Sequence, residues 1–189
     1  MEVLASNDVG EYAVAAMKPS EAVKEQFESL LEQHGGIIRK VAFGYARNES
    51  DRNDLMQDIL LQLWKAYPRY SPDRPFSTWM YRIALNVSIS YLRKHTRPGP
   101  EMVQLDESQH DIAPEQSSRP KMEERLTMLR EVMMKCPPLE RALLLLYLDD
   151  RSYREIASVL GLTETNVATK LSRLRERLRK ELTPNSKRI

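Results

Sequence analysis

The stretch Ser152-Tyr-Arg-Glu-Ile-Ala-Ser-Val-Leu-Gly-Leu-Thr-Glu-Thr-Asn-Val-Ala-Thr-Lys170 reads as two short helices around a tight turn. Ser152 and Glu155 have capping-box spacing, in which the hydroxyl accepts from the amide three residues on and the carboxylate reaches back. The first helix carries Ile156, Ala157 and Leu160 to Gly161, a residue that can adopt the left-handed turn ending a helix. Leu162 anchors the turn, and Thr163 can cap a second, longer helix with Val167, Leu171, Leu174 and Leu178 on one face. Thr165, Asn166, Thr169, Arg173 and Lys180 project away from that stripe at 100° per residue. Asn and Arg side chains so placed can make bidentate contacts to base edges in a major groove, and Thr can meet an edge or a thymine methyl. A structural hairpin with a solvated basic face has the same charge pattern. The small Ala157, the turn at Gly161, the inward Val167 and two consecutive caps favour DNA.

Upstream, Leu139 to Leu148 is a nearly all-apolar helix expected to be buried all round. Pro137 and Pro138 separate it from a stripe of Leu126, Leu129, Val132 and Met133. The segment from Thr96 to Pro120 holds Pro98, Gly99, Pro100, Pro114 and Pro120 with little periodicity, and reads as a linker. Helical spacing also runs from Ser20 to about Arg97, through Val23, Phe27, Leu30 and Leu31 and then Ile37, Ile38, Val41, Ala42 and Tyr45. The expected fold is all-α: an N-terminal helical bundle and a C-terminal helix-turn-helix domain joined by a flexible acidic linker. The boundaries are a leader at 1–19, the bundle at 20–97, the linker at 98–120, the second domain at 121–183 and a tail at 184–189.

Two segments of the bundle carry chemistry. A helix from Asp54 to Tyr67 sets Leu55, Met56, Ile59, Leu60, Leu63, Trp64 and Tyr67 on a broad core side. Asp54, Gln57, Asp58, Leu61, Gln62 and Lys65 share the other side, so Leu61 sits in an acidic-polar surface, suited to a protein interface that reads a basic partner helix. A loop from Pro68 to Phe76, with Arg69, Tyr70, Asp73 and Arg74, precedes a helix from Trp79 to His95 that Ser77 or Thr78 can cap. That helix buries Met80, Ile83, Ala84, Val87 and Tyr91 and leaves Trp79, Arg82, Asn86, Ser90 and Arg93 on another face. Aromatics beside cations suit opened DNA, with bases stacked and phosphates held; the competing assignment puts Tyr70 and Trp79 in the core.

Charge supports two nucleic-acid modules more clearly than the net +2 of the 189-residue chain. From Arg69 to Gly99 the net charge is +5, from Glu101 to Glu124 it is −5, and from Arg151 to Ile189 it is +6. The longest apolar run is seven residues, Ala142 to Leu148, against about 20 for a membrane span, and the N-terminus lacks a secretory signal pattern. The single cysteine, Cys136, with His34, His95 and His110 scattered elsewhere, offers neither an internal disulfide nor metal-ligand spacing. No phosphate-binding glycine loop or nucleophile–base arrangement is present, so an enzyme is not expected and no cofactor is called for. A homodimeric helix-turn-helix regulator is one function these modules would suit; it would bind a palindromic operator as the free protein and leave a two-fold footprint.

Three segments, Asp51-Arg-Asn-Asp-Leu-Met-Gln-Asp58, Arg74-Pro-Phe-Ser-Thr-Trp-Met-Tyr-Arg-Ile-Ala-Leu-Asn86 and Tyr153-Arg-Glu-Ile-Ala-Ser-Val-Leu-Gly-Leu-Thr163, jointly resemble extracytoplasmic-function (ECF) sigma factors of bacterial RNA polymerase. The resemblance covers about Ser20 to Leu182. It implies a cytoplasmic promoter-specificity subunit that binds core RNA polymerase, at the β′ clamp helices and the β subunit, and promoter DNA, without membrane insertion. Asp54, Gln57, Asp58, Leu61 and Lys65 would bind polymerase. Arg69, Tyr70, Arg74, Trp79, Arg82, Asn86 and Arg93 would melt and read the minus-10 element. Arg154, Thr163, Thr165, Asn166, Thr169, Lys170 and Arg173 would read the minus-35 element, while the linker threads the RNA-exit path. Such factors are often held inactive by an anti-sigma factor or another signal-dependent device. Asn53 departs from the family's acidic run, where another carboxylate is common.

Overall fold

The computed structural model describes residues 21–96 and 120–182, and every regular element among them is helical. The leader, the tail and nearly all of the linker lie outside the described residues. The first module contains α1 (Glu21–His34), α2 (Gly36–Tyr45), α3 (Glu49–Ala66), a 3-10 turn at Tyr67–Arg69 and α4 (Phe76–Thr96). The second contains α5 (Pro120–Lys135), α6 (Pro138–Leu148), α7 (Tyr153–Leu160) and α8 (Glu164–Leu182).

Helix α2 is almost wholly apolar and occupies the middle of the first module, burying Ile37, Ile38, Val41, Ala42 and Tyr45 against α3 and α4. Helix α3 starts at Glu49, earlier than its apolar spacing indicates, because the Asn48 side chain accepts from the Asp51 amide at 2.7 Å and caps it. It packs through Leu55, Ile59 and Leu63, one residue per turn. Leu60, expected on the core side, is 38% exposed, since it lies about 100° around the helix from Ile59.

Helix α4 departs further from the expectation. It begins at Phe76, so Ser77 and Thr78 lie inside it and do not cap it. The Trp79 amide donates to the Pro75 carbonyl, and Phe76 is buried among Tyr67, Tyr70 and Trp79, so ring packing pulls the extra turn into the helix. The fully buried stripe is Met80, Tyr81, Ala84, Leu85 and Ser88, whereas Ile83, Val87 and Tyr91 are only half-buried. The reason is tertiary: α4 packs on α2 and α3 and also against α6 and α7 of the second module. Buried Ser88 is satisfied by donating to the Ala84 carbonyl at 2.8 Å.

The two modules share one continuous core. Helix α6 runs between α8 and the first module, which buries Arg141 to Leu146; its ends project past these neighbours, leaving Leu139 and Leu148 exposed rather than buried. Arg141 is 5% exposed and stacks over the Tyr45 ring. Its guanidinium donates to the carbonyls of Gly44 (3.2 Å), Met134 (3.1 Å) and Cys136 (3.1 Å). The Tyr45 hydroxyl donates back to the Pro138 carbonyl at 2.7 Å. Arg130 of α5 donates to the Ala46 and Arg47 carbonyls, capping the C-terminal end of α2, where a cation also suits the helix dipole.

Gly44 explains how closely the helices approach. A Cβ there would lie 2.7 Å from Met133 Cε and 3.3 Å from Leu145 Cδ1, both in the second module. Glycine inside a helix costs roughly 1 kcal/mol relative to alanine, and here it makes room for the neighbouring module.

At the other end of the seam Asp149 pairs with Lys40 and accepts from the Tyr81 hydroxyl at 2.7 Å and from Arg151 Nε at 3.1 Å. Arg151 also lies over the Tyr81 ring. Burial alone would push the Asp149 carboxyl up, but the hydrogen bonds from Lys40, Tyr81 and Arg151 more than offset it and hold it below its ordinary value of 3.8. A carboxyl depressed in the folded state contributes stability above its unfolded pKa and loses it as pH falls through the folded value. Acid titration of wild type and Asp149→Asn is therefore expected to show a stability gap at neutral pH that closes below about pH 4. A gap unchanged down to pH 2 would contradict this.

Candidate functional site

The helix-turn-helix is built as its sequence indicates. Ser152 Oγ accepts from the Glu155 amide at 3.2 Å, and the Glu155 carboxylate accepts from the Ser152 amide at 2.9 Å, closing the capping box. The Glu155 carboxyl is held below its ordinary range by these Ser152 hydrogen bonds first, and then by Arg151. Gly161 has φ +68°, the left-handed conformation glycine adopts without a side-chain penalty, and the Leu162 amide reaches back to the Ala157 carbonyl at 3.0 Å. Thr163 Oγ1 caps α8 by accepting from the Asn166 amide at 3.2 Å.

On α8, Val167, Leu171 and Leu174 are buried, while Thr165, Asn166, Thr169 and Arg173 are exposed on an arc facing away from them. Arg154 and Thr163 are also exposed, and Lys170 is half-buried at the edge of the arc. The basic residues of α8 divide into two sets. Arg175 lies over the Tyr147 ring, and Arg177 pairs with Glu140, so both fasten α8 to α6. Lys180 pairs with Glu176 on its own helix. Lys170 and Arg173 have no ion-pair partner among the described residues.

In the first module Asp54, Gln57, Asp58, Leu61 and Lys65 are all exposed along α3, with Leu61 48% exposed. The acidic end of this face adjoins Tyr91 of α4. Burial, then the Asp51 carboxylate and the charges of Asp54 and Asp58, push the Tyr91 phenol up to about 12. Asp54 and Asp58 have no cationic partner among the described residues, so their charge is available to a neighbour.

On the remaining surface Arg69, Arg74, Arg82, Asn86 and Arg93 are exposed, and the last three share one face of α4. Tyr70 and Trp79 are half-buried and packed together at 5.1 Å between ring centroids, each also against Phe76. Their first role is in the core, as the competing assignment had it. The Tyr70 hydroxyl donates to the Arg74 carbonyl at 3.0 Å and stiffens the intervening loop. The functional arrangement is thus three outward surfaces, one acidic-apolar and two basic. No grouping of residues able to hold a metal occurs among the described residues, and no described helix is long and apolar enough to cross a membrane.

These features define a two-module helical protein with a helix-turn-helix at one end. Residues 30–98 match the Sigma-70 region 2 family and residues 126–178 match Sigma-70, region 4. The chain is 26% identical over 171 residues to the ECF RNA polymerase sigma factor SigE of Mycolicibacterium smegmatis, covering 88% of this chain and 65% of SigE, just under two thirds of its length. It is 25% identical over 169 residues to the ECF RNA polymerase sigma factor SigW of Bacillus subtilis, covering 84% of this chain and 90% of SigW. The fold is similar to that of the sigma factor RpoE in complex with the anti-sigma factor NepR from Bartonella quintana, with a TM-score of 0.67 and 20% identity over 85% of this chain and 99% of that one. The chain belongs to the ECF sigma factors.

Proposed function

We propose that this chain is an alternative sigma subunit that binds core RNA polymerase, recognises minus-35 and minus-10 promoter elements and promotes DNA melting. It carries no catalytic chemistry of its own and acts in the cytoplasm. The observation that carries this reading is Leu61, exposed among Asp54, Gln57 and Asp58 on α3, outside the buried stripe of Leu55, Ile59 and Leu63. Such a face suits the basic surface of a partner helix, and in this reading that partner is the β′ clamp, with Lys65 at its rim and the β subunit alongside. The basic face of α4, with the Arg69 and Arg74 loop, takes the minus-10 element. Tyr70 and Trp79 support that loop from the core and offer their exposed edges. The arc of Arg154, Thr163, Thr165, Asn166, Thr169, Lys170 and Arg173 takes the minus-35 element, where Thr163 also serves as a cap. The bundle at 20–97 and the helix-turn-helix domain at 121–183 are the two reading units. Control by an anti-sigma factor is part of the reading, supported by the structural neighbour having been captured with one.

Run-off transcription with purified core polymerase on a promoter library tests this directly. Sequence-selective initiation is expected. Tight palindromic binding by the free protein, without initiation, would instead make it a dimeric regulator. Arg173→Ala or Asn166→Ala is expected to cost about 1–3 kcal/mol of discrimination at one base position, if that residue makes a bidentate contact. Unchanged promoter preference in both variants would remove that assignment.

A further inference from the structure

The hydrogen bonds of α8 sort its outward side chains by what each has left to give a ligand. Thr163 Oγ1 is engaged as the cap, accepting from the Asn166 amide at 3.2 Å. Thr169 Oγ1 turns back along the helix and donates to the Thr165 carbonyl at 2.9 Å. The side chains of Thr165, Asn166 and Arg173 make no hydrogen bond or ion pair with any described residue. Thr169 is therefore committed differently from its neighbours. A threonine bonded to the carbonyl four residues earlier has one other branch at Cβ, the Cγ2 methyl, and the stiffness of a β-branched side chain holds both branches in place. Its single hydroxyl proton is spent, so it has no donor for a base acceptor. Thr169 is exposed, and the methyl is the branch it has left to present.

The neighbours frame that methyl. At 100° per residue Asn166, Thr169 and Arg173 fall within a sector about 60° wide. At about 1.5 Å per residue, Thr169 lies about 4.5 Å beyond Asn166 and about 6 Å before Arg173, one to two base-pair steps of about 3.4 Å from each. Asn and Arg bind base edges by paired hydrogen bonds, whereas an apolar group between them matches the one apolar feature of the major groove, the C5 methyl of thymine.

We propose that Thr169 is a specificity-determining residue that reads one thymine by methyl-to-methyl contact, between the base pair met by Asn166 and that met by Arg173, while its hydroxyl serves the helix. The proposal rests on the reading of α8 as the minus-35 helix and deepens it, but does not depend on the polymerase contact.

The test removes one methyl at a time. Duplexes carrying the minus-35 sequence selected from the promoter library have each thymine, on either strand, replaced singly by deoxyuridine, which lacks only that methyl. Binding of the full chain with core polymerase is measured by competition for wild type, Thr169→Ser and Thr169→Val. The serine keeps the hydroxyl and loses the methyl; the valine keeps the methyl and loses the hydroxyl. At one thymine, wild type is expected to lose about fourfold in affinity, the worth of one methyl-sized group buried from water. Thr169→Val should keep that thymine-over-uracil ratio, and Thr169→Ser should abolish it. Uracil tolerated at every position by wild type, or the same ratio persisting in Thr169→Ser, would overturn the contact. A ratio lost in Thr169→Val would make the hydroxyl the reading group and overturn it equally. Failure of the sigma reading looks different: wild type then selects no sequence with core polymerase. In that case the series is run on the sequence that the free chain selects, and a free chain that selects none removes α8 as a base-reading helix, and this proposal with it.

Discussion

Leu61→Asp is expected to abolish polymerase-dependent initiation while leaving the fold intact. The side chain is 48% exposed and lies outside the Leu55, Ile59 and Leu63 stripe, so the substitution should move stability by no more than about 0.5 kcal/mol. At an interface the same change replaces the one apolar anchor between Asp54, Gln57 and Asp58 with a third carboxylate that must be desolvated. Loss of a central anchor commonly costs 2 kcal/mol or more, about thirtyfold in affinity. Core-polymerase binding by fluorescence anisotropy, run-off transcription and a thermal melt together decide the outcome. Wild-type affinity in a folded variant would show that this face of α3 is not the polymerase contact.

Arg141→Ala is expected to be the most destabilising single change in the molecule. The side chain is nearly fully buried, and burial pushes its guanidinium below the ordinary arginine value while leaving it the donor to three carbonyls. Truncation orphans the Gly44, Met134 and Cys136 acceptors at about 1–3 kcal/mol each and leaves a cavity under Tyr45. A loss of roughly 3–5 kcal/mol is a large part of the 5–15 kcal/mol typical of a domain. Arg141→Lys keeps the charge but not the planar fork, and should fall between the two. Urea midpoints measure this, and an unchanged midpoint for Arg141→Ala would show that the three hydrogen bonds contribute little net stability.

Arg141 also shows why part of this structure was not legible beforehand. In sequence it is a lone cation within a helix expected to be buried all round, with nothing to mark what would pair with it; in the fold it is the polar centre of the seam. Tyr81 and Leu85 are hidden in the same way, because the apolar spacing of α4 indicates one buried face and the second module covers another. The net charge of +6 from Arg151 to Ile189 counts every cation of α8 alike, yet Arg175 and Arg177 are taken up by Tyr147 and Glu140. Periodicity sets Arg173 opposite the apolar stripe, but which of the flanking cations Lys170, Arg175 and Arg177 are taken up depends on where α6 lies.

By itself the sequence determined what is encoded over a few turns of chain. The helix-turn-helix, its capping box, its left-handed Gly161 and the outward Leu61 on α3 all follow from hydrogen bonds and side-chain spacing within about twenty residues. Only the tertiary structure decided that the two modules meet, that α4 begins at Phe76, and that Lys40, Tyr81 and Asp149 form one cluster although 109 residues separate the first from the last. Contacts of that range are set by the burial of surfaces that remain incomplete in either module alone, and local pattern carries no record of which surfaces those are.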